Sequence, residues 1–284
     1  MAQALINGIL LGGLYAIVGV GMSIIFGIVK LTNLAHGDFV ILGAYLSLAV
    51  STATGLHPFA SFAIVLPVMF GLGFAIQRTM VNRLLTRGDE PPLLVMFGLS
   101  IIIQNLLLQF FSADAQHLRS TYDIGSIKIG DTGAIIPLMF LIDCIIGVAI
   151  ILALNMFMKK TYVGNAIRAV SDDNTAARIM GVNVPLVYGV AMGVAMVTAA
   201  LAGVLVGMTY TIYPTSGSQY LIISFGVVVI GGMGSIKGTL VAGLIFGLAQ
   251  LLGSYFLGTS LQLLAGYVII LVMLAVKPRG LFAK

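Results

Sequence analysis

Residues 159–185 read KKTYVGNAIRAVSDDNTAARIMGVNVP, a polar stretch set between two long hydrophobic runs, 134–158 and 186–209. Ser171 is placed to cap a short helix, Asp172 and Asp173 fall in its first turn, Arg178 lies near its end, and Gly181 and Pro185 stop it. That helix would present Ala176, Ala177, Ile179 and Met180. A segment that only crossed a surface would not need caps, complementary end charges and small apolar residues together. The stretch reads as a contact surface for a soluble partner.

Outward from this loop the chain is apolar. Hydrophobic residues make up 60% of it and charged residues 8%, and the mean hydropathy is +1.12, so the solvent for most of the protein is lipid or other buried helices. The net charge of +5 comes from 14 Lys and Arg that form no dense basic stripe, which argues against a nucleic-acid partner. Cys144 is alone, so no intrachain disulfide and no paired-cysteine motif exists.

Apolar runs long enough to cross about 30 Å of hydrocarbon number nine: 5–29, 38–54, 59–76, 92–111, 134–158, 186–209, 221–236, 239–257 and 261–276. The second and seventh are short and glycine-interrupted, so either is a candidate broken or re-entrant helix. The fold class is therefore all-α, a polytopic transmembrane helix bundle of eight or nine spans in a single domain over 1–284. With the N-terminus outside, Lys30, Arg78, Arg83, Arg87, Lys159, Lys160, Arg168, Arg178, Lys237, Lys277, Arg279 and Lys284 fall inside, and Arg119 and Lys128 outside. This asymmetry makes the 159–185 loop and the C-terminus cytoplasmic. The other long loop, 112–133, with Asp114, Asp123 and Asp131, is then external. The N-terminus carries no cationic leader region and no small-residue cleavage site, so the first span reads as a retained anchor.

Small residues predict close helix packing. Gly8, Gly12, Ala16, Gly19, Ser23 and Gly27 form one strip on the first span, and Gly189 with Gly193, Gly203 with Gly207 and Gly243 with Gly247 repeat the small-xxx-small spacing. Polar residues at membrane depth are costly and so more informative. Asn33 and His36 are placed on one helical face beside Asp38, with Gly37 as a break, and fit either a buried hydrogen-bonded hinge or a substrate path. Gln104, Asn105, Asp143 and Gln250 are further candidates, each able to line a path or to satisfy a neighbouring helix. His57 and His117 fall near loops and are expected to be solvated.

Bond-making chemistry is not supported. GGMGSIKG at 231–238 looks like a phosphate loop, but Lys237 is followed by Gly238 where a Ser or Thr is required. No zinc-protease motif, nucleophile elbow or haem-ligand pair is present in the sequence.

Four blocks together resemble a known family: GLYAIVGVGMSIIFGIVKLTNLAHGDFVILGAYLS near the start, GNAIRAVSDDNTAARIMGVNVPLV in the loop, VVVIGGMGSIKGTLVAG later, and KPRGLF at the end. In that order, over nearly the whole chain, they are similar to the branched-chain amino-acid permeases of bacterial ABC importers. The length and the NLAHGD block resemble the shorter, H-type permease. AVSDDNTAA departs from the more acidic or cysteine-bearing segment common in that family. The resemblance implies an inner-membrane permease that pairs with a second homologous permease subunit, is driven by two cytoplasmic ATPase subunits, and receives cargo from a periplasmic substrate-binding protein. ATP and Mg would then be used by the partner subunits, with no cofactor on this chain. On that reading Gly164, Arg168, Ser171, Asp172, Asp173, Ala176, Ala177 and Gly181 would serve ATPase coupling, while the polar residues Asn33, His36, Asp38, Gln104, Asn105 and Gln250 are the candidates to line the translocation path.

Two other classes fit the same composition. A secondary transporter or channel would move its cargo without an ATPase, yet such proteins use midplane charges, and only Asp143 and Asp38 offer one. A structural subunit of a respiratory or assembly complex would co-purify with redox partners. The resemblance leaves the cargo open among branched-chain amino acids, urea, short amides and aromatic acids; the absence of tryptophan and the low charge speak against a strongly anionic one.

Overall fold

The computed structural model describes residues 1–88, 90–119, 125–129 and 134–282. Asp123, Asp131, Gly133 and Lys284 lie outside the described residues, as does the side chain of Lys128. The chain runs α1 (Ala2–Val29), α2 (His36–Thr54), α3 (Phe62–Ile76), α4 (Asn82–Leu84), α5 (Glu90–Phe111), a hairpin β1 (Ser126–Ile129) and β2 (Ala134–Pro137), then α6 (Leu138–Lys160), α7 (Tyr162–Asp172), α8 (Asn174–Ile179), α9 (Val184–Thr209), α10 (Gly217–Gly231), α11 (Ile236–Leu257) and α12 (Gln262–Val276). It is a polytopic helical bundle. Among the described residues eight helices are long and apolar enough to span a membrane, and α10 is a shorter apolar ninth. At about 1.5 Å per residue its 15 residues reach too short a distance for about 30 Å of hydrocarbon.

The span boundaries differ from expectation where backbone chemistry intervenes. The third span continues past Ile76 through a π-helical turn, Gln77–Val81. The fifth begins at Leu138, because Ala134–Pro137 pairs with β1 as a strand. The second is an unbroken 19-residue helix. Its break lies upstream, where Lys30 ends α1 in the left-handed conformation and residues 31–35 run without helix. Asn33 therefore shares no helical face with His36, and Gly37 is inside the first turn of α2.

The centre of the bundle is α1, buried along almost its whole length. The expected strip of small residues meets α11 antiparallel. A Cβ on Gly8 would strike Leu248, one on Gly12 would strike Leu244 and Gly243, and the facing Gly243 and Gly247 sit against Ala16, Gly12 and Gly8. Backbones this close maximise dispersion contacts where lipid supplies no hydrophobic drive between helices. Other faces of α1 use the same device, with Gly13 against Cys144 of α6 and Gly21 against Ala195 and Thr198 of α9. Gly189 and Gly193 of α9 instead accept the rings of Phe74 and Phe70 from α3.

An internal relation of opposed halves emerges from these contacts. The pairing of α1 with α11 is matched by that of α9 with α3, and α2 stands to α9 as α10 stands to α1. In each half a long buried helix leads into a short non-helical segment, from which a second helix starts inside the bundle. Because α1 and α9 run in opposite directions, the halves are inverted. We term the end bearing α7 and α8 the loop end, and the end bearing β1 and β2 the hairpin end.

Gly12→Leu is predicted to destabilise the detergent-solubilised protein by at least the ~1–3 kcal/mol typical of overpacking. Gly98→Ala, where a Cβ meets nothing within 4 Å, is predicted to be silent. Thermal midpoints of the two variants check this.

Candidate functional site at the loop end

The four sequence blocks, distant in the chain, converge at the loop end. Gly27 of α1 abuts Gly234 of the turn between α10 and α11, and Gly280 of the C-terminal segment abuts Gly232. Gly232 and Gly234 have positive φ, as the turn requires, and Ser235 caps α11 by accepting from Gly238 N. The C-terminal block closes over this turn through Leu281 N to Ile230 O and Phe282 N to Gly231 O. The glycine run that looks like a phosphate loop is thus a tight turn clasped on both sides.

The 159–185 loop holds two helices where one was expected. Thr161 caps α7 by accepting from Gly164 N, and Asp173 caps α8 by accepting from Thr175 N at 2.8 Å and Ala176 N at 3.0 Å. Ser171 is therefore not the cap, and Asp172 is the last residue of α7 rather than part of a first turn. Ser171 Oγ instead donates to Gly27 O. That carbonyl belongs to the last turn of α1 and has no onward helical donor, so the serine satisfies an orphan acceptor and ties α7 to α1. Gly181, with φ of 85°, follows the end of α8 as expected. Pro185 does not stop that helix; it sits in the first turn of α9, which Asn183 caps.

One side of the loop is built into the bundle and the other is bare. Gly164 lies so close to Phe157 and Met158 that no side chain fits, and Ile167, Val170 and Ala177 are buried. Arg168, Asp172, Asp173 and Ala176 are exposed, and so are the large apolar side chains Val163 and, most fully, Tyr162 at 86%, Ile179 at 80% and Met180 at 82%. Beneath the loop, Ile28, Lys30, Val170, Asp172, Asp173 and Tyr188 line a cleft of about 270 Å³. Asn82 Nδ2 donates to Pro185 O at 3.0 Å, joining the far end of the loop to α4. Lys30, Arg78, Arg83, Arg87, Lys159, Lys160, Arg168, Arg178, Lys237, Lys277 and Arg279 all belong to elements at this end.

The polar residues at membrane depth form two groups. In the first, Asn33 Oδ1 accepts from Ala35 N at 3.0 Å, and His36 Nε2 is 2.9 Å from Val18 O. A carbonyl only accepts, so Nε2 carries the imidazole proton. Ser224 Oγ, whose single proton has its shorter bond to Tyr220 O at 2.7 Å, also stands 3.2 Å from the Val18 carbonyl, which brings α1, α2 and α10 to one point. Asp38 Oδ1 accepts from Gln104 Nε2 of α5 at 2.9 Å, and Asp38 packs on Gly217, the first residue of α10. The second group is nearer the hairpin end: Tyr15 donates to Gln250 Oε1 at 2.8 Å, and Thr209 donates to Asp143 Oδ2. Asn105 belongs to neither group; it is exposed on α5 and donates to Ile101 O of its own helix. His117 is exposed as expected, whereas His57 is half-buried, accepts from Phe59 N and leans on the Phe59 ring.

The model of the family described as "Branched-chain amino acid transport system / permease component" matches residues 4–277. The chain belongs to this permease family. It is 29% identical to the high-affinity branched-chain amino acid transport system permease protein LivH of Escherichia coli (strain K12), and 27% identical to the corresponding protein BraD of Pseudomonas aeruginosa; each alignment covers 99% of this chain and 95% of the relative. Among solved structures, PsaBC from Streptococcus pneumoniae in complex with Fab shares the fold, with a TM-score of 0.53, 18% identity and coverage of 98% of this chain and 92% of that one. This permease is accordingly a multi-pass membrane component of an ABC-type transport system and not an enzyme.

Asp173→Ala removes the cap of α8, and an N-cap is worth ~0.5–2 kcal/mol. The permease is predicted to show faster amide hydrogen exchange across 174–180 with an unchanged global melting midpoint. Ser171→Ala is predicted instead to raise exchange at the end of α1 and in α7 together.

Proposed function

We propose that the chain is the translocating subunit of an importer for branched-chain or related small neutral amino acids, and that the 159–185 loop couples it to cytoplasmic ATPase subunits. The observation that carries this reading is the two-sided loop. Tyr162, Ile179 and Met180 present apolar surface that the described residues leave uncovered, while Gly164, Ser171, Ile167 and Val170 fix the opposite side to α1 and the end of α6. An exposed apolar patch rimmed by charge is a protein-binding surface. A partner pushing on it moves the helices, because the loop has no slack against them.

The cation asymmetry supports a cytoplasmic loop end, with the N-terminus at the hairpin end outside and the C-terminus inside. The external face then meets a substrate-binding protein. Driving two conformations from 1:99 to 99:1 takes about 5.5 kcal/mol of differential binding, a scale within reach of a docked ATPase pair that engages one conformation better. A second permease subunit completes the path. Asn105, exposed at membrane depth on α5, is the path residue of choice, while Asn33, His36, Asp38, Gln104 and Gln250 brace the helices that shape it. The kinship to LivH and BraD supports the cargo class. It also favours this reading over an ATPase-independent transporter or channel, and the nucleotide chemistry with its Mg belongs to the partners.

Ile179→Asp with Met180→Asp is predicted to abolish co-purification of the ATPase subunits and ATP-driven uptake, while the permease itself inserts and melts as the parent does. Gly181→Trp is predicted to retain docking but to lose the stimulation of hydrolysis by substrate-loaded binding protein. Normal stimulation in either variant contradicts the coupling role.

A further inference from the structure

A cavity of about 710 Å³ lies at the hairpin end, among the end of α2, the turn into α3 and the segment that follows α5. Its wall carries His57, His117 and Arg119, and no carboxylate is found among the described residues that line it. Leu48, Leu56 and Leu118 supply apolar wall beside them. The candidate spans His36–Thr54, Pro58–Leu84 and Glu90–Phe111 end or begin at this place, which sets the cavity at the boundary of the hydrocarbon whichever way the chain is oriented.

The segment bearing His117 and Arg119 is held in place. Leu118 is buried and its N donates to Gly207 O at 2.9 Å, and Gln116 and Ile212 exchange backbone hydrogen bonds, so the chain after α5 is pinned to the end of α9. His117 and Arg119 flank that anchor and are exposed. The groups around the cavity are mostly donors. Arg119 can only donate. His57 Nδ1 accepts from Phe59 N at 3.3 Å, so Nε2 carries the imidazole proton. Ser51 Oγ is buried and has no hydrogen-bond partner among the described residues. Nearby acceptors are already engaged, Leu48 O by Thr52 Oγ1 at 2.7 Å and Ser51 O by Gly55 N at 2.9 Å. The end of α2 adds about half a negative charge, which the full charge of one guanidinium outweighs.

We propose that this cavity binds an anionic phospholipid, its headgroup phosphate held by Arg119 and His117 against the Ser51 and His57 wall and an acyl chain lying along Leu48 and Leu56. The volume falls inside the ~300–1,000 Å³ usual for small-molecule sites and exceeds what a lone inorganic anion fills. Its apolar side follows α2 from the charged rim toward the hydrocarbon, and Leu56 is 52% exposed there. A surplus of donors suits a phosphate, and a cation without a matching carboxylate selects an anionic headgroup over a zwitterionic one. The site does not rest on the importer reading, since it needs only that this end of the bundle meets a leaflet.

The chain has no tryptophan, so Leu56→Trp at the cavity makes a one-tryptophan reporter. In the full chain in phosphatidylcholine nanodiscs, brominated phosphatidylglycerol is expected to quench it about fivefold more effectively than brominated phosphatidylcholine at equal mole fraction, the effect of one cation on an anionic lipid. Phe256→Trp, exposed at the same end of the bundle, is expected to show no preference between the two lipids. Adding Arg119→Gln should make quenching at Leu56→Trp equal as well. Without any reporter, short-chain phosphatidylglycerol should raise the melting midpoint of the parent more than short-chain phosphatidylcholine does, and Arg119→Gln should remove that difference. Should Leu56→Trp itself disturb the cavity, the midpoints decide. Equal shifts from the two lipids, or a preference that survives Arg119→Gln, would overturn the inference. So would inorganic phosphate matching the phosphatidylglycerol shift, which assigns the cavity to a free anion, or lipid indifference with loss of binding-protein docking in Arg119→Gln, which assigns it to a protein partner.

Discussion

A membrane interior has no water to satisfy an unwound backbone, so the two places where this bundle interrupts its helices and starts new ones constrain everything else. The segments 31–35 and 211–216 each end a long helix and let a second one begin within the bundle. Leu31, Asn33 and Ala35 of the first are buried in protein, where an unwound backbone is tolerated, whereas Thr211, Tyr213 and Thr215 of the second are exposed and Ile212 pairs its backbone with Gln116. The two new helices, α2 and α10, start against each other: a Cβ on Gly37 would collide with Gly217 O, and one on Gly217 would collide with the carboxylate of Asp38. Asp38 lies in the first turn of α2 and against the first residue of α10, so a single carboxylate faces the positive ends of two helix dipoles. Gln104 holds it there from α5. Asn33, His36 and Ser224 satisfy backbone groups around the same crossing.

From that crossing the rest of the architecture follows. With α2 and α10 both meeting it at Val18, α1 serves as the axis for α6, α9 and α11, and its far end lies at Gly27, where the loop, the glycine turn and the C-terminal block meet. Ser171 joins α7 to α1, and Gly164 sets α7 against the end of α6. The exposed loop, at the end of α1, and the buried crossing, at Val18 in its middle, are therefore joined by one helix rather than independent features.

Much of this was legible in the sequence because it depends on local spacing. The small-residue strip on α1 names its own contact face, and Gly243 with Gly247 names the partner strip. The polar loop announces itself by contrast with its flanks. Cap assignment failed at Ser171 because SDDN offers several acceptable caps in succession. The apolar spacing of Ile167 and Val170 carries α7 through Ser171, leaving Asp173 as the first residue outside helical geometry. That periodicity, with Thr161 three residues before Gly164, was the available signal for α7. The pairs Gln104 with Asp38, Thr209 with Asp143, and Tyr15 with Gln250 join residues far apart in the chain, and no periodicity encodes such meetings. The inverted halves were hidden for a related reason, since they share helix order and contacts while their residues differ.

A double-mutant cycle between Gly217 and Asp38, read as unfolding free energies in detergent, tests the crossing most directly. If the two residues touch as described, Gly217→Ala is strongly destabilising alone, and Asp38→Ala relieves part of that loss, with a coupling in the ~0.5–3 kcal/mol range of contacting residues. Effects that simply add, within the ~0.3–0.5 kcal/mol expected of distant sites, would mean that α2 and α10 do not begin against one another.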